Sequence, residues 1–184
     1  MLNQAKNIED ALRDWLESAK RIVVVGVGNE LRRDDFVGVE VVRRLKGKVP
    51  KNVMIIESET VPESFLEPIT QFNPTHVLLI DAGFVDLKPG QMKMADSRNA
   101  LSPAPAVSTH ALPLRIFCDY LVEATGTKIM LIVIQPGTTD FGEGLTKEVK
   151  KTAERLAETL TRITRHQYTT LPHSPKSATS CQPK

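Results

Sequence analysis

Short apolar runs that alternate with helix-like segments constrain the fold of this chain most strongly. Four of these runs lack the polar/apolar alternation of a half-exposed strand, which is typical of strands buried on both faces of a parallel sheet. They span residues 21–27, 53–56, 77–81 and 129–134. The segments between them repeat apolar residues at helical spacing, so the pattern predicts βαβ units. We therefore expect an α/β fold in three layers: a mostly parallel twisted sheet of about five strands flanked by helices.

The length of 184 residues suits one domain with a substantial hydrophobic core. Helical patterns are found at residues 4–20, 36–46, 62–72, 111–124 and 145–163. We assign residues 1–164 to a single α/β domain. Residues 165–184 contain scattered prolines and no apolar period, so they are expected to form a C-terminal tail. One hypothesis is that residues 171–184 lie as a product-like strand in a cleft of their own or of a neighbouring molecule, for example along the predicted edge strand Gln91–Ala95. The alternative is a disordered end or a crystal packing contact.

Individual residues lead to two further expectations about the helices. Pro62 suits the first turn of a helix, whereas Pro68 argues against an unbroken helix over residues 62–72. Cys118 is expected to be a small core residue and not a nucleophile. In the same helix, the large side chains expected to face the core are Ile116, Phe117, Tyr120 and Leu121.

Composition and charge exclude several classes of function. The net charge is +2, and no long basic run requires a nucleic-acid partner. No apolar stretch is long enough for a membrane span, and the N-terminus is not a signal peptide, so a cytoplasmic protein is expected. Cys118 and Cys181 are the only cysteines, which argues against a disulfide scaffold or a cysteine-type zinc site. The sequence leaves the oligomeric state open.

The glycines of Gly26-Val27-Gly28 suggest a dinucleotide site at first sight. The fingerprint of such a site needs a third glycine where this chain has Leu31. The carboxylates of Asp34-Asp35 would also repel a pyrophosphate at the start of the next helix. Glu57 and Glu59 could imitate the acid that binds a ribose, which keeps this alternative open but weak. The glycine pair is better explained by a close passage of two backbones beneath the site.

Acidic side chains follow two predicted strands, and a histidine precedes a predicted helix. Asp34 and Asp35 come after the first strand, Asp81 ends the third, and His110 lies before the segment 111–124. Each of them taken singly is explained by helix capping or a structural hydrogen bond. Taken together, they lie where open α/β sheets bind ligands, provided that the first and third strands are neighbours. Carboxylate oxygens and an imidazole nitrogen suit zinc, nickel, cobalt or iron, and three ligands leave positions open for a reaction.

Over about residues 21–160 the chain resembles the maturation endopeptidases of [NiFe] hydrogenases. The matching segments are Gly26-Val27-Gly28-Asn29, Asp34-Asp35 with Gly38, Asp81-Ala82 with Pro89-Gly90, Ser108-Thr109-His110 with Leu112-Pro113-Leu114, and Gln135-Pro136. Many members have glycine in place of Phe36, and an acid and a glycine in place of Phe84 and Asp86. These departures border the presumed cleft and are expected to affect substrate choice.

The resemblance implies an endopeptidase that removes a C-terminal extension from the large-subunit precursor of a [NiFe] hydrogenase after nickel insertion. It implies metal contacts at Asp35, Asp81 and His110, with Asp35 and Asp81 as the catalytic carboxylates. It also implies that the nickel is carried mainly by the substrate, so nickel is the one cofactor expected. A protein of the same fold that binds a metal-loaded partner without cutting it is the alternative.

The residues themselves favour hydrolysis by water. Ser108 and Thr109 adjoin His110, but no third group that would orient a catalytic triad can be identified. A metal could polarise the scissile carbonyl or lower the pKa of a bound water. Alternatively, the metal only docks the substrate and a free carboxylate such as Asp34 acts as the base. The sequence does not separate these mechanisms.

Overall fold

The computed structural model describes residues 7–97 and 111–170 and has the expected α/β architecture. The strands are β1 (Ile22–Val27), β2 (Val53–Glu59), β3 (His76–Ala82), β4 (Met92–Asp96) and β5 (Lys128–Ile134). The α-helices of the described part are α1 (Ile8–Leu16), α2 (Val37–Leu45), α3 (Leu66–Phe72), α4 (Ala111–Thr125) and α5 (Lys147–Thr170). Two 3₁₀ turns, Arg33–Phe36 and Pro62–Phe65, precede α2 and α3. None of the helices in these ranges has the length and apolarity needed to cross a membrane.

One five-stranded sheet has the order β2-β1-β3-β5-β4. All its strand pairs are parallel except that of β4, which runs antiparallel to β5 at the edge. Gly26 of β1 lies beside Ile80 of β3, so the first and third strands are neighbours. Their carboxyl ends therefore meet at one edge of the sheet, as the site prediction requires.

The core has two halves, one on each face of the sheet. Helices α1, α2 and α5 cover one face, and α3 and α4 cover the other. On α4, Phe117 and Leu121 are buried as predicted, and Cys118 is a buried core residue. The prediction for Ile116 and Tyr120 is wrong, because their side chains are 62% and 50% exposed. The buried stripe repeats at positions 114, 117, 118 and 121, so residues 116 and 120 lie on the opposite side of the helix.

Three helical segments differ from their predicted bounds. Helix α1 ends at Leu16 and not at residue 20. The segment 62–72 divides into a 3₁₀ turn and α3, and Pro68 lies in the first turn of α3, where its missing N–H costs little. The last helix continues past the predicted boundary at residue 164 to Thr170. Tertiary contacts hold this final turn and a half: Arg165 Nε donates to the Lys48 carbonyl at 2.8 Å, and Gln167 donates to the Leu16 carbonyl. The tail hypothesis concerns residues 171–184, which lie outside the described residues.

The first turn of α2 lies unusually close to the sheet. An added Cβ on Gly38 would stand 2.1 Å from the Ile80 carbonyl oxygen and 2.4 Å from that of Val27. An added Cβ on Gly26 would stand 2.2 Å from the Gly38 carbonyl oxygen. The expected close passage of two backbones is therefore present, and it holds the start of α2 against the ends of β1 and β3.

We expect Gly38→Ala to lower the free energy of unfolding by at least about 3 kcal/mol, because the new methyl group would have to move backbone atoms. Urea denaturation measures this change. Gly47→Ala is the matched control: its Cβ would meet no atom within 4 Å, and only its φ of +71° adds strain, of about 1 kcal/mol. Equal losses in the two variants would contradict the packing argument.

His76 is buried at the amino end of β3, far from the acids along the strand. The ring of Trp15 lies edge-on to the imidazole, with centroids 4.9 Å apart. The Thr75 hydroxyl oxygen lies 3.1 Å from His76 Nδ1, and the same hydroxyl donates to the Arg21 carbonyl. His76 Nε2 is buried without a hydrogen-bond partner. Burial, together with the positive charge of Lys128, lowers the pKa of His76 to about 4.

This lowered pKa predicts a loss of stability in mild acid. The unfolded chain takes up the proton near pH 6.5 and the folded protein only near pH 4. Between these pH values, protonation therefore stabilises the unfolded state relative to the folded state. The stabilisation is complete above pH 6.5 and is lost as the pH falls to about 4, a change on the order of 3 kcal/mol. Urea denaturation across this range should show a weaker pH dependence in His76→Gln. The exposed His166→Gln control should retain the wild-type dependence, and an unchanged slope in His76→Gln would contradict the assignment.

Candidate active site

The structure places Asp35 and Asp81 at the same edge of the sheet. Asp35 belongs to the 3₁₀ turn that follows β1, and Asp81 is the penultimate residue of β3. Both carboxylates are buried. The contact of Gly38 with the Ile80 carbonyl holds the chain just after Asp35 against the strand residue just before Asp81. The two acids thus occupy the crevice at the ends of neighbouring parallel strands.

Backbone N–H groups hold these two carboxylates. Asn29 N–H donates to Asp35 Oδ2 at 2.9 Å, and Ala82 N–H donates to Asp81 Oδ1 at 2.8 Å. Gly28 makes the first contact possible, because an added Cβ there would stand 1.9 Å from the Asp35 carbonyl oxygen. Helix α2 has no side-chain cap, so neither Asp34 nor Asp35 caps it.

The third predicted metal contact, His110, lies outside the described residues, as do Ser108 and Thr109. Within residues 7–97 and 111–170 no three histidine, cysteine, aspartate or glutamate side chains are grouped so as to hold a metal ion. A site with Asp35 and Asp81 as two of three ligands therefore needs a contribution such as that of His110, and the triad remains a prediction.

Asp34 has a different role from its neighbour. Its carboxylate is fully buried and accepts four hydrogen bonds from the loop that joins β5 to α5. The donors are Gly137 N–H at 2.8 Å, Thr138 N–H at 3.2 Å, Thr146 N–H at 2.6 Å and the Thr146 hydroxyl at 2.8 Å. The hypothesis that Asp34 is a free carboxylate acting as base is therefore wrong. Asp34 ties the loop after β1 to the loop after β5.

Gln135, directly after β5, connects the loop after β3 to the end of β5 in a similar way. Its side-chain oxygen accepts from Val85 N–H at 2.9 Å and from Leu87 N–H at 3.4 Å. Between these donors, Asp86 has a φ of +55°, a backbone conformation that glycine adopts without strain. Sequence reasoning noticed Gln135 only as part of a motif. A glutamine directly after a fully apolar strand is the signal that could have identified it as a loop anchor.

A cleft of about 780 Å³ opens beside the loop that carries Asp35, and neither Asp35 nor Asp81 is among its lining residues. The lining residues come from the loop after β1, the end of β2, the start of α2, the loop before α5 and the first turn of α5: Gly28, Asn29, Glu30, Leu31, Phe36, Glu40, Glu59, Thr60, Glu143, Gly144, Leu145 and Lys150. Phe36 is buried there, with the Arg43 guanidinium 4.7 Å from its ring centroid.

The geometry weakens the dinucleotide alternative. Glu57 forms ion pairs with Arg43, at 2.9 Å, and with Lys46. Burial alone would raise the pKa of Glu57, but the hydrogen bonds from Lys46 and Arg43 outweigh it and lower that pKa. The carboxylate is therefore engaged with two cations and is not available to a ribose.

The four hydrogen bonds that Asp34 accepts predict a specific loss of stability when this residue is replaced. Asp34→Asn replaces one acceptor oxygen by an amide that cannot accept, so at least one buried donor loses its partner. We expect a loss of about 2–3 kcal/mol in the free energy of unfolding, measured by urea denaturation. Asp140→Asn, an exposed change in the same loop, should cost no more than about 0.5 kcal/mol. Equal effects of the two substitutions would contradict the role of Asp34.

Comparison with known proteins identifies the family. A profile described as hydrogenase maturation protease (HycI) matches residues 39–163. The crystal structure of the [NiFe] hydrogenase maturation protease HycI from Thermococcus kodakarensis KOD1 is 40% identical, with a TM-score of 0.77 over 84% of this chain and 99% of its own. The Hydrogenase 3 maturation protease of Escherichia coli K12 is 27% identical over 75% of this chain and 87% of its own length. The hydrogenase maturating endopeptidase HybD of Escherichia coli is 27% identical, with a TM-score of 0.67 over 80% of this chain and 93% of its own. The match in sequence and in fold extends over most of the molecule, and the chain belongs to the hydrogenase maturation proteases, a family of endopeptidases.

Proposed function

We propose that this endopeptidase removes a C-terminal extension from the nickel-loaded large-subunit precursor of a [NiFe] hydrogenase. The observation that supports this most strongly is the pair of buried carboxylates, Asp35 and Asp81, at the ends of adjacent strands. Carboxylates in such a place can bind a cation and can also transfer a proton. Relatives with the same fold carry names that refer to hydrogenase maturation.

Nickel enters this proposal as part of the substrate. Asp35 and Asp81 supply oxygen ligands, and His110 is proposed to supply an imidazole nitrogen. Three such ligands form an incomplete set for a nickel ion, and thiolates of the precursor would complete it. Free enzyme should therefore bind nickel weakly, and a precursor without nickel should be a poor substrate.

Hydrolysis of the peptide bond needs a base beside the scissile carbonyl. We propose that Asp35 or Asp81 accepts the proton of the attacking water and later donates it to the leaving amine. Asp34 is unsuitable, because four hydrogen bonds from one loop occupy its carboxylate. Asp35 and Asp81 are both buried, which strengthens their electrostatic effect on a bound substrate.

A binding protein that holds the metal-loaded precursor without cutting it is the second candidate. It would need the same carboxylates for metal contact, and it would yield a stable complex and no shortened product. The endopeptidase activity of the family argues against it. Mass spectrometry of the precursor after mixing separates the two.

The test is cleavage of nickel-loaded and nickel-free precursor, followed by mass spectrometry. We expect wild-type enzyme to shorten only the nickel-loaded form. Asp35→Asn and Asp81→Asn should each lower kcat by at least about 100-fold, because each removes a charged ligand and a candidate base. The relative change in the thermal unfolding midpoint of each variant should be far smaller than its relative loss of kcat.

Asp119→Asn is the matched control, since Asp119 is an exposed carboxylate on α4. This variant should cut at the wild-type rate. Equal cleavage of the precursor with and without nickel would refute nickel recognition, and full activity of Asp81→Asn would refute the proposed site.

A further inference from the structure

An exposed aromatic side chain stands in the loop between β5 and α5. Phe141 is 82% exposed, the highest value among the large hydrophobic residues that the structure describes as exposed. Leu31, in the loop after β1, is 51% exposed. Large apolar side chains in contact with water are common singly, but a pair held together is typical of a surface that binds a partner.

Backbone hydrogen bonds place these two residues next to each other. Gly142 N–H donates to the Leu31 carbonyl at 2.9 Å, and Arg33 N–H donates to the Gly142 carbonyl at 2.8 Å. These bonds form a parallel bridge between Arg32 and Gly142. Leu31 and Phe141 each precede a bridged residue by one position, so their backbones lie side by side, about 4.8 Å apart across this two-chain ribbon.

The ribbon is held firmly. The Asp34 carboxylate accepts four hydrogen bonds from the same loop, and Arg32 Nε donates to the Thr139 carbonyl at 3.1 Å. Gly142 has a φ of +149°, which residues with a side chain rarely adopt, so the bridge favours glycine at this position. An aromatic side chain on an ordered loop loses little further entropy when it binds, which favours it as an anchor.

The pair lies next to the proposed active site. Leu31 lines the 780 Å³ cleft, Phe141 is two residues before Glu143, which also lines it, and Asn29 donates to the Asp35 carboxylate. A peptide chain in this cleft would contact Leu31 and lie beside the loop that carries Asp35. The cleft is within the size range of clefts that enclose ligands.

On the basis of the proposed function, we propose that Leu31 and Phe141 form an anchoring site for an apolar side chain of the precursor's C-terminal peptide segment. The pair determines how tightly the precursor binds, and it takes no part in the chemical step. Its removal should therefore raise KM and leave kcat nearly unchanged.

Steady-state cleavage of the nickel-loaded precursor tests the proposal. Phe141→Ala and the double variant with Leu31→Ala should raise KM about 10-fold or more, which corresponds to about 1.4 kcal/mol of binding, with kcat within about twofold of wild type. Phe141→Leu should restore most of the affinity, because an apolar side chain is retained. Ile116→Ala is the control, since Ile116 is an apolar residue on α4 whose exposure of 62% lies between those of Leu31 and Phe141, and it should leave both constants unchanged.

Photo-crosslinking gives a second measurement that does not depend on cleavage. With p-benzoylphenylalanine in place of Phe141, crosslinks should map to the precursor's C-terminal segment, and none should form from position 116. An unchanged KM in the double variant, or crosslinks only to the precursor's body or to a second copy of this chain, would overturn the proposal. Absence of cleavage by wild-type enzyme would instead refute the proposed function, while the crosslinks would still decide the anchoring site.

Discussion

The arrangement of this molecule depends on the close contact between the first turn of α2 and the backbones of β1 and β3. Gly38 lies where any side chain would collide with the Ile80 and Val27 carbonyl oxygens, and Gly26 faces it from β1. The 3₁₀ turn that carries Asp35 precedes this contact directly, so its position relative to Asp81 follows from backbone packing. A rigid scaffold of this kind positions functional groups more accurately than a loop can.

Two adjacent aspartates have different roles at this edge of the sheet. Asp34 is fully buried and joins the loop after β1 to the loop after β5 through four hydrogen bonds, while Asp35 lies in the crevice beside Asp81. Buried carboxylates are costly unless their oxygens are satisfied, and a loop rich in N–H donors satisfies Asp34. Gln135 organises the neighbouring loop in the same way with a neutral side chain. Together, Asp34 and Gln135 position the loops at the edge of the sheet where the substrate is proposed to bind.

The two ends of the sheet are built differently. At the carboxyl ends, loops supply carboxylates, a cleft and exposed apolar side chains. At the amino ends, His76 is buried against Trp15 as a neutral imidazole. At the first end, backbone N–H groups donate to the Asp35 and Asp81 carboxylates, whereas at the second end burial and the positive charge of Lys128 disfavour the charged imidazole of His76.

The sequence alone determined the fold class, the order of its elements and the edge where the acids lie, because unbroken apolar strands and helical periods leave few alternatives. It also placed Asp35 and Asp81 at the ends of strands that proved to be neighbours. Only the tertiary structure separated Asp34 from Asp35, because hydrogen bonds between residues 34 and 146 have no local signature. The same holds for Ile116 and Tyr120, whose exposure depends on which stripe of α4 meets the sheet, and for the last turn of α5, which contacts with Lys48 and Leu16 extend to Thr170. Local sequence patterns thus determined which segments form helices and strands, and long-range contacts determined the exposure and hydrogen bonding of individual side chains.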